Sequence, residues 1–158
     1  MPLAVEHEAE GSMSDLYDTD VVTWSERQAD ALRRRAANEI DWDNVAEEIE
    51  DVGKSQVRSV RSHIKQALLH DLKAEAWPRS RDVPHWRAEA RSHRDEARED
   101  YTASMADKID LARLYRQVLR AMPDVEDDVA PLPVPTKCPV TLAELLAPEP
   151  DEDNGTTP

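Results

Sequence analysis

One apolar stripe constrains this chain more than any other feature. Val45, Ile49, Val52, Val57, Val60, Ile64, Leu68 and Leu72 recur at intervals of mostly three or four residues, a period that aligns side chains along one face of an α-helix. The stripe ends at Trp77, because Pro78 disfavours helical geometry in the residue before it. An unbroken helix from 41 to 76 would be about 53 Å long. A compact domain of this size is nearer ~30 Å across. A bend or break is therefore expected near Gly53, where glycine weakens a helix and Ser55 can recap it. A single helix that protrudes, or is covered by a partner subunit, is the alternative.

The remaining chain repeats the same language. Val21, Trp24, Gln28, Leu32 and Ala36 predict a helix from about Asp20 to Ala37, capped by Asp18 or Thr19. Ile40 and Val45 flank the next helix start with the spacing of a hydrophobic staple. Pro84 suits the first turn of another helix, whose inner row reads Trp86, Ala90, His93, Ala97 and Tyr101. Met105, Ile109, Ala112, Leu119 and Met122, with Leu111, Tyr115 and Val118, mark a further helix after a recap near Thr102 or Ser104. Residues 123–139 hold five of the eleven prolines and read as an extended strap. Thr141-Leu-Ala-Glu144 is a capping-box pattern opening one short terminal helix.

The expected fold is therefore all-α: a compact bundle of about five helices, a short C-terminal helix and a disordered acidic tail. The divisions are 1–13, a disordered extension; 14–122, the bundle; 123–147, the strap and terminal helix; and 148–158, the tail. With three glycines in 158 residues there is little turn chemistry for a sheet protein. One cysteine, Cys138, excludes a disulfide scaffold and suits a reducing cytoplasm. Residues 1–12 carry Glu6, Glu8 and Glu10 before any apolar run and do not read as a signal peptide. Met13, just ahead of the patterned chain, can serve as an alternative start. No apolar run approaches the ~20 residues of a membrane span.

Charge is unevenly distributed around a net −14. Residues 1–53 carry 15 acids and 4 bases, whereas residues 54–98 carry 6 acids and 11 bases. Arg58, Arg61 and Lys65 share one helical face, and Arg87, Arg91, Arg94 and Arg98 another. Such rows can follow a phosphate backbone, but no aromatic platform or reading helix accompanies them. Pairing with the acidic ends is the simpler account.

Certain residues also recur in one known family. Tyr17-Asp18-Thr19-Asp20 with Trp24 four residues on, and Asn44-Val45-Ala46-Glu47-Glu48-Ile49-Glu50-Asp51-Val52-Gly53, resemble segments of the domain-of-unknown-function 29 family. So do His70 with Leu72 and Lys73, Trp86-Arg87, and Cys138-Pro139-Val140-Thr141-Leu142. The resemblance spans roughly residues 16–147. It implies a bacterial all-helical protein and brings no settled activity. The chain departs from the family pattern at Asp71 and Ala74 around Lys73, and at His85 before Trp86.

The chemistry-bearing residues are few. Glu47 and Asp51 share a helix face, with Glu48 beside them; paired carboxylates can bind a hard cation or divide acid and base roles. His70 and Lys73 are three apart, and Trp86-Arg87 reaches them if their helices are antiparallel neighbours. The candidate polar site is thus Glu47, Glu48, Asp51, His70, Lys73, Trp86 and Arg87, a set of opposite charges suited to fixing helix register or lining a small polar pocket. His63 and His70 lie ~10.5 Å apart along a helix, too far to chelate one ion unaided. Glu89 and His93, four apart, supply half a metal site. The Glu-x-x-His pattern of di-iron bundles is missing, and so are Gly-rich phosphate loops and Gly-x-Ser-x-Gly elbows. Cys138 reads as a packed small hydrophobe.

These features predict a cytoplasmic, non-enzymatic interaction or scaffold protein, either a homodimer or bound to another protein, with no cofactor and no membrane contact. The first alternative is a small metal-assisted hydrolase or nuclease using a divalent metal with Glu47, Asp51 and His70. The second is nucleic-acid binding through the basic faces.

Overall fold

A computed structural model describes residues 12–148. The expected disorder at 1–11 and 149–158 lies outside the described residues. In chain order the elements are α1 (Met13–Thr19), α2 (Val21–Arg34), a 3-10 turn (Ala37–Glu39), α3 (Trp42–Ala76), α4 (Val83–Asp100), a second 3-10 segment (Ala103–Lys108), α5 (Leu111–Ala121) and α6 (Leu142–Leu145). The fold is all-α. Among the described residues the sole β feature is an isolated bridge between Glu126 and Val129.

Two compact units replace the one bundle expected over 14–122, and the chain divides between Lys54 and Ser55. Helix α3 belongs to both, and it does not break at Gly53. A glycine costs an α-helix only about 1 kcal/mol, which the surrounding helix-forming sequence absorbs. What changes near Gly53 is packing. Every residue from 49 to 56 is exposed. Ile49 and Val52, expected in the core, are 67% and 65% exposed.

The first unit is organised around Trp24 and Gln28. Asp20, rather than Asp18 or Thr19, caps α2 by accepting from the Thr23 N–H at 3.1 Å. The helix stops at Arg35, which takes up the left-handed conformation (φ 58°) that ends many helices. Trp24, Ala31 and Val45 are buried, whereas Val21 and Leu32 from the expected apolar row are exposed. Met13, expected within the N-terminal extension, instead opens α1, and the Ser12 N–H before it donates to Asp15 Oδ2 at 3.1 Å in a capping box.

The second unit contains the larger core. Val60, Ile64, Leu68 and Leu72 of α3 pack with Ala97, Met105, Ile109, Leu114, Tyr115, Val118, Leu145 and Leu146. Helices α3 and α4 run antiparallel: Asp71 pairs with Arg94, His63 meets His93, and Ser59 reaches Asp100. Alanines 90 and 97, each 0% exposed, permit that close approach. Asp110 caps α5, one helix start beyond the expected Thr102 or Ser104. The strap then crosses the end of α3. Leu132 N–H donates to Ala76 O at 2.8 Å, Trp77 Nε1 to Val129 O at 2.8 Å, and Tyr115 Oη to Pro135 O at 2.7 Å. The Thr141 capping box forms as its sequence suggests.

Candidate functional site

The seven residues of the candidate polar site fall in both units, and each set is described with the unit that holds it. In the first unit, Glu48 accepts a hydrogen bond from the Tyr17 hydroxyl at 2.8 Å. Tyr17 also meets Trp24 edge-on, with centroids 4.8 Å apart. The Glu48 bond, then burial, then the charges of Glu48, Glu47 and Asp51 push the Tyr17 hydroxyl up to about 12. Glu47 and Asp51 are exposed. Asp51 engages Lys54 at 3.0 Å, the ordinary i,i+3 pairing of a solvated helix face.

The second unit brings together Lys73 and Trp86. Lys73 Nζ sits 4.4 Å from the centre of the Trp86 ring and 3.5 Å from Glu126 of the strap. A cation over an indole face is attracted by the ring quadrupole. Trp86 packs with Ala74, Ala76 and Trp77, so this grouping ties α3, α4 and the strap together. Arg87 is exposed and makes no hydrogen bond or ion pair among the described residues. Glu126 had no place in the candidate set. Its only signal was membership of the acidic strap.

His70 joins a different group. Its ring stacks on His93, with centroids 6.0 Å apart and planes 7° from parallel. His93 Nε2 lies 3.9 Å from Glu89 Oε2, and His93 Nδ1 lies 3.1 Å from His63 Nδ1. Ligating atoms of His70, Glu89 and His93 all fall within 4.8 Å of one another. Among the described residues His70 Nδ1 is buried without a hydrogen-bond partner. Burial holds the His70 imidazole below its ordinary pKa, and the charges of His93, Lys73 and His85 act the same way against an opposing Glu89. The neutral ring is therefore favoured, which is the form that donates a lone pair. From sequence, Glu89 and His93 read as half of a site. The antiparallel crossing of α3 and α4 supplies the third group, from a position no linear spacing reveals.

The basic faces are partly consumed within the chain. Arg94 pairs with Asp71 at 3.2 Å. Arg98 pairs with Asp95 at 2.6 Å and donates to the carbonyls of Leu146 and Ala147. Cys138 is half-buried, its thiol donating to Val140 O. Among the described residues no helix is long and apolar enough to cross a membrane.

An all-helical protein with a histidine–carboxylate cluster is the class these features define. The model described as "Domain of unknown function DUF29" matches residues 16–149, and the chain belongs to that family. It is also similar to a crystal structure of an alpha-helical protein of unknown function from Rhodospirillum rubrum ATCC 11170. The two share 29% identity and a TM-score of 0.64, over 87% of this chain and 90% of that one. No curated protein matches the chain.

Proposed function

We propose that this chain is a non-enzymatic protein-interaction module that docks an amphipathic, basic helix onto the part of α3 lying in the first unit. The observation behind this reading is the bare stretch from Ile49 to Lys54. Isolated helical turns are marginal in water, and here two large aliphatic side chains stand exposed on one of them. Trp42, 58% exposed, lies seven residues before Ile49, or two helical turns, on the same side of α3. Together, at i, i+7 and i+10, they fall within one side of the helix, as the anchors of a helix-docking surface do.

Charge selects the occupant. The α3 segment that carries this row is strongly acidic, with Asp43, Glu47, Glu48, Glu50 and Asp51 against Lys54 as its one base. A second copy would set acids against acids, at a cost. A helix bearing Leu or Ile among Lys or Arg meets both the apolar row and the negative charge of the segment that carries it. The cytoplasm of a bacterium is the setting this reading assumes.

A synthetic leucine–lysine amphipathic helix, titrated into the full chain and followed by fluorescence anisotropy, tests it. Binding that weakens with salt and is lost in an Ile49→Ser, Val52→Ser double variant supports the proposal. Both replacements are uncharged, so a purely electrostatic association would survive them and overturn it. Light scattering that shows a dimer dissociated by the same double variant would overturn it in favour of self-association.

A further inference from the structure

We propose that His70, Glu89 and His93 bind one divalent transition-metal ion, zinc foremost, between α3 and α4. Two imidazoles and one carboxylate form the donor set of many zinc sites, and borderline nitrogen ligands select first-row transition ions over magnesium or calcium. Glu89 and His93 lie one turn apart on α4, and His70 faces them from α3. Ligand atoms about 2.0–2.1 Å from a tetrahedral zinc are ~3.3 Å apart. The observed spread of up to 4.8 Å is wider than that, and a bound ion would draw the three side chains together. Three protein ligands leave the fourth position for water.

Three further observations point the same way. Among the described residues His70 Nδ1 is a buried polar atom with no hydrogen-bond partner, an unfavourable condition unless something satisfies it. His63 sits where an outer partner of a metal-bound histidine belongs. Its Nδ1 is 3.1 Å from His93 Nδ1, so His93 can donate its Nδ1 proton there and keep the Nε2 lone pair facing Glu89. Lys73, whose charge acts on His70, is drawn toward Trp86 and Glu126. With neutral histidines the site carries a formal −1 from Glu89, which a divalent ion more than compensates.

The test uses the full chain, stripped with chelator and dialysed at pH 7.5. Zinc, cobalt(II), nickel and magnesium are each titrated by calorimetry and by thermal unfolding. The expected result is one zinc per chain, a raised Tm with zinc, cobalt and nickel but not magnesium, and visible d–d bands of four-coordinate cobalt. Glu89→Gln, at a partly exposed position that tolerates the change, should weaken the zinc Kd at least tenfold. His70→Asn should weaken it further. Cys138→Ser and His85→Asn should leave it unchanged. The proposal is overturned if no metal shifts the Tm, if Glu89→Gln binds zinc like the parent, or if either control variant removes the binding.

Discussion

At the scale of single residues, Tyr17 and Glu48 show how a surface carboxylate acquires a structural task. The Glu47, Glu48 and Asp51 group was legible as a cluster of acids on one helical face. Which of them would find a partner was not, because Tyr17 lies 31 positions away from Glu48. The pairing makes stability sensitive to alkali. The hydroxyl titrates near 10 when unfolded and at about 12 when folded. Between those values the unfolded chain holds fewer protons than the folded one, so the contribution is whole below pH 10 and declines as pH rises toward 12. Urea midpoints between pH 9 and 12 should fall less steeply for Tyr17→Phe than for the parent. Equal slopes would mean that the Tyr17 proton plays no part.

At the scale of elements, most helices can be read from the chain because their signals are local. The Thr141 capping box, the proline opening α4 and the stop before Pro78 each act within one turn. Gly53 misled for an instructive reason. The expectation of a break came from the length of a compact domain, a global argument, whereas the local penalty of one glycine is small. A Cβ built on Gly53 meets nothing within 4 Å, and the residue is helical. Gly53→Ala should therefore stabilise the protein by about 0.5–1 kcal/mol, measured by urea unfolding. A destabilising result would reveal that something approaches this face of α3 in solution. The arginine rows illustrate the converse limit. Their spacing was plain, but the partners that occupy Arg94 and Arg98 come from another helix and from carbonyls near the C-terminal end.

At the scale of the whole molecule, each unit carries its own core, one around Trp24 and the other around Ile64 and Tyr115. Trp24→Ala should cost about 3–5 kcal/mol, borne first by the unit that contains it. Hydrogen exchange read by mass spectrometry should show lost protection over residues 21–34 while residues 60–72 keep theirs. Uniform loss across both would show that they unfold as one cooperative body.

Helical class, the order of helices, the proline strap and the terminal cap are written in the chain, since period, capping and proline effects operate between residues within a few positions of one another. The division at Lys54, the exposure of Ile49 and Val52, and the meeting of His70 with Glu89 and His93 belong to tertiary structure alone. An apolar residue at helical spacing marks a face, but only the neighbouring elements determine whether that face is covered. Two side chains on different helices meet only where their backbones cross, and that crossing is set by packing summed over the whole interface.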